Sequence, residues 1–131
     1  MMRLLYVDDD RINALLFREA CRLGPGLQVE IALNGAEALQ LAGDWQPQVL
    51  VVDLHLPDTD GCTLLPQLRA AAGDGALPAF LCTADNARDA HAAAAAAGFT
   101  GCWPKPVDLQ AMLADLADLA SLHAPQPPQV G

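Results

Sequence analysis

Positive charge is scarce in this sequence. Of its 131 residues, seven are basic and sixteen are acidic, which gives a net charge of −9, and Lys105 is the single lysine. Proteins that bind nucleic acid use clusters of Lys and Arg to neutralise the phosphates. The composition therefore argues against nucleic acid as a partner, and an acidic balance of this kind is a common solubility feature.

A long apolar segment is also lacking. The longest run, AHAAAAAAGF at 90–99, contains His91 and is too short to cross a bilayer. The opening stretch, MMRLLYVDDD, reaches three aspartates after a few apolar residues, unlike a signal peptide. We therefore expect a cytoplasmic protein with no membrane segment.

Paired cysteines are missing as well. The cysteines form no CxxC pair, and no histidine lies at a zinc-finger spacing from them. They are Cys21, Cys62, Cys82 and Cys102. In a cytosolic protein we expect reduced, buried thiols, and neither a disulfide nor a zinc site.

The chain does contain a regular alternation of short apolar runs and helical stretches. The apolar runs predict strands at 3–7, 27–33, 48–54, 78–83 and 100–103. Five strands alternating with five helices predict an α/β fold, a doubly wound parallel sheet covered by helices on both faces. We expect one domain over 1–122, followed by a disordered, Pro-rich tail or linker at 123–131.

Three of the helices allow a more detailed prediction. The first, RINALLFREACRL, is expected to turn one apolar face inward. That face would consist of Ile12, Leu15, Leu16, Ala20 and Leu23. Asn34 is expected to cap the second helix. Pro66 conflicts with a helix interior and is expected to delay the start of the third helix.

Polar side chains lie at the ends of four of the predicted strands. They are Asp8, Asp9 and Asp10 at the end of the first strand, Asp53 at the end of the third, Thr83 at the end of the fourth and Lys105 at the end of the fifth. The carboxyl ends of parallel strands lie at the same edge of a sheet. We therefore expect these side chains to converge there.

Converging carboxylates need a compensating charge. One such pair at ~4 Å and an effective dielectric of ~20 costs on the order of 4 kcal/mol. Either a carboxylate takes up a proton or a cation sits between them, and an all-oxygen site suits a hard divalent ion such as Mg²⁺. Asp8 and Asp9 are the candidate ligands, whereas Asp10 is expected to cap the first helix.

Asp53 is a candidate for a different role. It leaves a dry strand, VLVV, and a carboxylate in that position can attack phosphorus and form an aspartyl phosphate. Phosphoryl transfer then depends on positioning and on charge neutralisation. Lys105 and the hydroxyl of Thr83 could each bind one phosphoryl oxygen.

Four motifs in this chain occur together in one known family. They are LLYVDDD, VLVVDLHLPDTDG, FLCTAD and GCWPKP. On these motifs, over residues 3 to about 122, the chain resembles a response-regulator receiver domain of two-component signalling, the family of the chemotaxis regulator. The resemblance implies a flavodoxin-like sheet with strand order 2-1-3-4-5, and a signalling phosphoacceptor rather than an enzyme.

The resemblance also implies roles for individual residues. Asp53 would accept a phosphoryl group from a phosphohistidine, and Thr83 and Lys105 would bind that group. The ligands of Mg²⁺ or Mn²⁺ would be Asp8, Asp9, Asp53 and the backbone carbonyl of His55. The peptide bond between Lys105 and Pro106 would be cis.

Two features depart from the family pattern. Receivers usually carry Tyr or Phe three residues before the lysine, but this chain has Cys102 there, so the usual aromatic switch is absent from that position. Trp103 beside it is expected in the core. The second feature is the pair His55 and Asp85, at positions that flank the path of the attacking water and tune the phosphoryl lifetime in this family.

The resemblance further implies partners. The phosphodonor would be a sensor histidine kinase or a histidine phosphotransfer protein. A downstream protein would bind the face formed by the fourth helix, the fifth strand and the fifth helix, and a homodimer is a further option. Whether the chain acts alone or as part of a longer protein is left open.

Three alternative functions are also considered. A phosphorelay intermediate would pass the phosphoryl group on to a histidine phosphotransfer protein, and Cys102 favours it because a relay needs less conformational coupling. A degenerate scaffold is disfavoured by the intact set of site residues. A phosphatase of the haloacid-dehalogenase type needs an aspartate at the position of His55 and is disfavoured for that reason.

Overall fold

Strands and helices alternate strictly along the chain. The structure is a computed structural model and describes residues 2–22, 26–84, 87–105 and 108–123. The strands are β1 Met2–Val7, β2 Leu27–Ala32, β3 Val49–Asp53, β4 Ala79–Thr83 and β5 Gly101–Pro104. The helices are α1 Arg11–Arg22, α2 Gly35–Trp45, α3 Gly61–Ala72, α4 Ala87–Ala97 and α5 Leu109–His123.

The strands form one parallel sheet in the order β2-β1-β3-β4-β5. This arrangement confirms the predicted fold class and strand order. The register pairs Val7 with Val52, Asp53 with Cys82, and Thr83 with Pro104. As a result, the residues that close β1, β3, β4 and β5 lie at one edge of the sheet.

Helices cover both faces of the sheet and enclose two apolar cores. On one face α1 and α5 pack over β1, β3, β4 and β5, with Phe17, Trp103 and Met112 among the buried side chains. On the other face α2, α3 and α4 pack over the sheet and contribute Leu64 and Leu68. The central strands β3 and β4 are buried along their whole length, as expected for strands covered on both sides.

The predicted inward face of α1 is wrong. Ile12, Leu15 and Leu16 are 71%, 40% and 62% exposed, whereas the buried residues of α1 are Ala14, Phe17 and Cys21. Both sets have helical spacing, so periodicity alone could not separate them. The ring of Phe17 stacks on Tyr6 of β1 with ring centroids 4.2 Å apart. This contact orients α1 so that Phe17 faces the sheet. Ala20 is half-buried, and Leu23 lies outside the described residues.

The caps of α2 and α3 explain where these helices begin. Asn34 caps α2 as predicted, since its side chain accepts a hydrogen bond from the backbone N–H of Glu37 at 2.8 Å. In α3, Asp60 accepts from the N–H and the hydroxyl of Thr63, each at 2.8 Å. This cap starts the helix at Gly61, so the expected delay at Pro66 is wrong, and the exposed proline lies inside α3.

Three further predictions concern membrane segments, the cysteines and the tail of the chain. Among the described residues, no helix is long and apolar enough to cross a membrane. All four cysteines are free thiols, with Cys21 and Cys82 buried and Cys62 and Cys102 partly exposed. The expected tail at 123–131 lies outside the described residues, apart from the helical backbone of its first residue, and stays a prediction.

Candidate functional site

The polar residues that follow the strands meet at the carboxyl edge of the sheet. Asp8, Asp53 and Thr83 are all buried there, at 0%, 6% and 1% exposure. Asp8 directly follows β1, Asp53 ends β3 and Thr83 ends β4. Buried carboxylates are rare in proteins unless they are paired with another group. The contacts of these two aspartates therefore determine what the site can do.

Three carboxylates form a cluster at this edge. One oxygen from each of Asp8, Asp9 and Asp53 lies within 4.8 Å of the others, with Asp9 on the exposed side. Hard oxygen donors in this number suit a divalent cation such as Mg²⁺, so the donor set fits the metal that the sequence implies. Asp10 is not part of the cluster. Its Oδ1 accepts hydrogen bonds from the N–H groups of Ile12 and Asn13, which makes it the cap of α1.

Lys105 lies between two of the carboxylates. Its Nζ donates to Oδ2 of Asp53 at 2.8 Å and to Oδ2 of Asp8 at 3.1 Å. The backbone N–H of Lys105 donates to the carbonyl of Thr83 at 2.9 Å, which continues the pairing of β4 with β5 beyond the last strand residue. The sheet therefore fixes the base of the lysine, and its flexible stem carries the charge to the carboxylates.

Burial and this ion pair shift the pKa values of both partners. Burial raises the pKa of the Asp53 carboxyl, and the hydrogen bond and charge of Lys105 offset this only in part. For Lys105, burial alone would lower the pKa of the ammonium, but its hydrogen bonds to Asp53 and Asp8 outweigh burial and raise the pKa. The lysine therefore stays charged at neutral pH and holds its positive charge 2.8 Å from Oδ2 of Asp53.

Tyr6 is part of the site, although it was not predicted. Its hydroxyl donates to Oδ2 of Asp8 at 3.1 Å, while the backbone N–H of Asp10 donates to the other oxygen at 2.9 Å. Burial is the largest cause of a strongly raised pKa of Tyr6, so its hydroxyl remains a donor. Side chains of a strand alternate between its two faces, so residues 6 and 8 lie on the same side of the sheet. This alternation could have identified Tyr6 as a neighbour of Asp8 from the sequence.

The loop 54–60, here named the β3–α3 loop, borders the cluster. Leu54 donates its N–H to Cys82 at 3.0 Å, Leu56 donates to Thr59 at 3.1 Å, and Gly61 donates back to Leu54 at 2.8 Å. The loop is thus closed on itself next to Asp53. A Cβ at Gly61 would lie 2.6 Å from the carbonyl oxygen of Asp53, so only glycine fits where α3 meets the end of β3.

His55 lies at the exposed rim of the β3–α3 loop. Its N–H donates to Oδ1 of Asp53 at a long 3.4 Å, and it forms an isolated β-bridge with Asp60. Its position next to Asp53 is compatible with the metal and tuning roles considered for it. Asp85 and Pro106, named as a tuning residue and as a cis proline, lie outside the described residues.

Cys102 and Trp103 point to opposite faces of the sheet. Cys102 is partly buried against the core under α2, α3 and α4. Trp103 is buried in the other core, as predicted, where it stacks on Phe80 with ring centroids 4.4 Å apart. Its indole Nε1 donates to Oδ2 of Asp115 at 2.8 Å, which ties β5 to α5. Trp103 therefore does not occupy the position left without an aromatic ring.

Asp58 contacts the start of α2, and this contact, like that of Tyr6 with Asp8, was not predicted from the sequence. Its carboxylate accepts hydrogen bonds from the N–H groups of Gly35 at 2.8 Å and Ala36 at 3.1 Å, the first two residues of α2. More than twenty residues separate the partners, and no local pattern connects them. The sequence therefore offered no signal for this contact.

Together, the fold and the site define a class of protein. A five-stranded parallel sheet of order 2-1-3-4-5 with five helices is the flavodoxin-like fold of CheY-type proteins, and in such sheets ligands bind at the carboxyl edge. The family model of the response regulator receiver domain matches residues 4–117. The chain therefore belongs to the response regulator receiver domain family.

Individual relatives agree with this assignment. The chain is 34% identical to the response regulator MprA of Mycobacterium avium (strain 104) over 125 residues, which is 95% of this chain and 54% of that protein. It is 36% identical to MprA of Mycobacterium leprae (strain TN) over 118 residues, 90% of this chain and 50% of that protein. The chain thus spans about half the length of these curated relatives.

Solved structures share the fold. A candidate response regulator from Chloroflexus aurantiacus J-10-fl is 31% identical, with a TM-score of 0.83 over 92% of this chain and 98% of that chain. A CheY-like receiver domain protein from Methanospirillum hungatei JF-1 is 22% identical, with a TM-score of 0.81 over 93% of this chain and 95% of that chain, and supports the fold alone. The chain is thus a receiver domain of two-component signalling, a signalling phosphoacceptor by family.

Proposed function

We propose that Asp53 accepts a phosphoryl group from a phosphohistidine in a Mg²⁺-dependent reaction, and that the change of state controls the binding of a partner. The observation that carries this proposal is the contact of Lys105 with Asp53 inside a cluster of three carboxylates. A single cation held against a buried carboxylate provides a nucleophile and a charge for the incoming phosphoryl group at one place. The donor would be a sensor histidine kinase or a histidine phosphotransfer protein.

The hydrogen bonds of Asp53 suggest which of its oxygens attacks. Oδ2 is held by Lys105 at 2.8 Å, whereas Oδ1 receives the N–H of His55 at 3.4 Å. We assign the attack to Oδ1, because the weaker contact leaves its lone pairs more available. A bond then forms between this oxygen and phosphorus, and the phosphorus–nitrogen bond of the donor breaks. The electron pair of that bond stays on the nitrogen, and the donor ring, protonated on its other nitrogen, leaves as neutral imidazole.

The metal would be held by the same carboxylates. Asp8, Asp9, Asp53 and the backbone carbonyl of His55 are the proposed ligands of Mg²⁺ or Mn²⁺. When bound, the ion would supply charge neutralisation at the phosphoryl oxygens. Tyr6 and the N–H of Asp10 orient Asp8 for this purpose through one hydrogen bond to each carboxylate oxygen.

Lys105 and Thr83 are the proposed binding groups for the phosphoryl oxygens. The flexible stem of Lys105 lets its ammonium follow the negative charge from the carboxylate to the phosphoryl group. Thr83 ends β4, the strand that pairs with β3. Asp53 of β3 pairs with Cys82, and Thr83 is the next residue along β4. His55 and Asp85 remain proposed tuning residues for the lifetime of the aspartyl phosphate.

The face formed by α4, β5 and α5 is the proposed binding surface for a downstream protein. It contains a groove of about 430 Å³. His91 of α4, Cys102 of β5 and Asp115 of α5 are among the residues that line this groove. A partner or a second copy of the chain that senses the phosphorylated state would bind here, with Cys102 in the position of the usual switch residue.

The phosphodonor is expected to contact α1. Ile12 and Leu16 are large exposed apolar side chains in the first half of this helix, which begins three residues after Asp8. An exposed apolar patch beside a reactive group favours a protein donor, because a protein partner can cover the patch while its histidine reaches Asp53. The free thiols favour the cytoplasm as the compartment of this reaction.

The test is phosphorylation by a small donor. The protein is incubated with Mg²⁺ and acetyl phosphate, and its intact mass is measured. We expect an added mass of one phosphoryl group, about 80 Da, on the unaltered protein and on Asp44→Asn, a control at an exposed carboxylate, but not on Asp53→Asn. No adduct on the unaltered protein, or an undiminished adduct on Asp53→Asn, would overturn the proposal.

A phosphorelay intermediate is the second candidate function. Cys102 favours it, because a small thiol offers no ring to couple the site to the outer face, and a relay needs little such coupling. In this case the phosphorylated protein would transfer its phosphoryl group to a histidine phosphotransfer protein, detectable as loss of the adduct from one protein and gain by the other. A scaffold, by contrast, would form no adduct at all.

A further inference from the structure

We infer that Asp58 is a positioning residue that anchors the β3–α3 loop to the start of α2 and thereby sets the metal affinity of the site. This inference rests on the proposed function, because it assumes that the carbonyl of His55 in this loop is a metal ligand. It concerns a residue outside the carboxylate cluster. Asp58 would act through the loop and would touch neither the ion nor the phosphoryl group.

The contact of Asp58 with α2 has two hydrogen bonds. Oδ1 accepts from the N–H of Gly35 at 2.8 Å, and Oδ2 accepts from the N–H of Ala36 at 3.1 Å. The first N–H groups of a helix have no acceptor within the helix, and its N-terminus attracts negative charge. The bond to Gly35 is the largest cause of a lowered pKa of Asp58, so the carboxylate is charged at neutral pH.

Close packing accompanies this contact. A Cβ at Gly35 would lie 2.7 Å from Cγ2 of Thr59 and 3.2 Å from Oδ1 of Asp58. The start of α2 therefore fits directly against two consecutive side chains of the loop, and a methyl group at position 35 would displace them. This contact is separate from the cap of α2, in which Asn34 accepts a hydrogen bond from the N–H of Glu37.

The anchored part of the loop is coupled to the part next to the cluster. Leu56 donates its N–H to the carbonyl of Thr59, and His55 bridges to Asp60, so the turn between them behaves as one closed unit. Its two ends are held by the sheet at Leu54 and by the cap of α3 at Asp60. Asp58 supplies a third attachment on the outer side. Without it the turn can tilt, and the carbonyl of His55 moves with it.

Three variants and a matched control test this inference. Asp58→Ala and Asp58→Asn remove the anchor wholly or in part, and Gly35→Ala pushes the loop away while the carboxylate is retained. Asn34→Ala is the control, since it removes a side-chain hydrogen bond from the same end of α2 and leaves the loop contacts intact. Asp58 lies at the surface, so we expect Asp58→Asn to fold even if Asp58→Ala does not.

The first readout is binding of Mg²⁺ to the unphosphorylated protein by titration calorimetry. We expect the dissociation constant to rise about tenfold in Asp58→Ala and Gly35→Ala, the lower end of the effect of losing an outer partner of a metal ligand. In Asn34→Ala we expect it to stay within about twofold of the unaltered value. Equal constants in the Asp58 variants and the unaltered protein, or an equal rise in Asn34→Ala, would overturn the inference.

The second readout needs no metal. In the metal-free protein, we expect the amide protons of Leu56 and Gly61 to exchange about tenfold faster in Asp58→Ala than in Asn34→Ala, because these amides report the closed turn. Unchanged exchange would also overturn the inference. Failure of the proposed function is distinguishable: no adduct in the acetyl phosphate experiment, or no binding of Mg²⁺ to the unaltered protein, would contradict that proposal while the exchange comparison still decides whether Asp58 anchors the loop.

Discussion

The Nζ atom of Lys105 lies 2.8 Å from Oδ2 of Asp53, and this pair is largely removed from solvent. A second carboxylate, Asp8, takes the same ammonium at 3.1 Å. The lysine therefore compensates charge in the metal-free protein at the place where Mg²⁺ is proposed to do so. Removing one partner from a buried ion pair leaves the other charge uncompensated and costs more than the pair contributes.

We predict that Lys105→Met lowers the free energy of unfolding by about 3 kcal/mol in the absence of divalent ions. The loss should shrink when Mg²⁺ is added, because the ion neutralises the same carboxylates. Urea denaturation with and without Mg²⁺ measures both effects. Arg22→Met is the matched control, since its pair with Glu19 is highly exposed and should contribute less than about 1 kcal/mol. Equal losses in the two variants would contradict the prediction.

The raised pKa of Asp53 predicts a dependence of stability on pH. A carboxyl group with a raised pKa in the folded state costs nothing below its ordinary value of 3.8 and destabilises increasingly as pH rises through the raised pKa. Relative to Asp53→Asn, the unaltered protein should therefore lose stability above pH 3.8. Thermal denaturation over a pH series, in the presence of a chelator, measures the difference between the two proteins.

Asp58→Asn provides a control for the sign of this effect. The pKa of Asp58 is lowered, so its contribution is present above 3.8 and is lost as pH falls through the lowered pKa. The stability of the unaltered protein relative to Asp58→Asn should thus increase with rising pH. Its stability relative to Asp53→Asn should decrease over the same series. Parallel pH profiles of Asp53→Asn and the unaltered protein would show that burial of Asp53 has no such effect.

Tyr6→Phe is predicted to lower the free energy of unfolding by about 1.5–3 kcal/mol, the usual range for a hydrogen bond to a charged group. The variant keeps the ring and its stacking on Phe17 and loses the hydroxyl that donates to Asp8. Guanidinium denaturation measures the loss. In an Asp8→Ala background the same substitution should have a much smaller effect, and additive losses would rule out the proposed coupling.

The exposed apolar residues of α1 are predicted to matter for phosphoryl transfer from a protein donor but not for the stability of the fold. Ile12→Ser and Leu16→Ser should change the free energy of unfolding by no more than about 0.5 kcal/mol, since they replace surface residues. Phe17→Ala should cost about 3–5 kcal/mol, because it leaves a cavity in the core. Chemical denaturation of the three variants checks this ranking.

The same surface variants also test the donor contact. Leu16→Ser should slow phosphorylation by a histidine kinase or phosphotransfer protein, because both are expected to cover the apolar patch. Phosphorylation by acetyl phosphate should be unchanged, since a small donor does not contact α1. Equal rates with a protein donor before and after the substitution would argue against α1 as the docking surface.

Long-range order in this molecule was predictable where strand geometry determines it. Asp8, Asp53, Thr83 and Lys105 are far apart in sequence, but each ends or directly follows a strand, and parallel strands end at one edge. The side that α1 turns inward was not predictable, because Leu16 and Phe17 fit two helical stripes of similar apolar character. The contact of Asp58 with α2 depends on the path of a loop, for which no periodic signal exists.

Gly61 has a consequence for the direction in which a signal can leave the site. Its backbone lies against the carbonyl of Asp53 with no room for a Cβ, so main chain touches main chain where β3 meets α3. This close contact leaves Asp53 and the first turn of α3 little room to approach each other further. Towards β5, by contrast, Asp53 is connected through the flexible side chain of Lys105, and we expect a chemical change at the carboxylate to be passed on through that side chain.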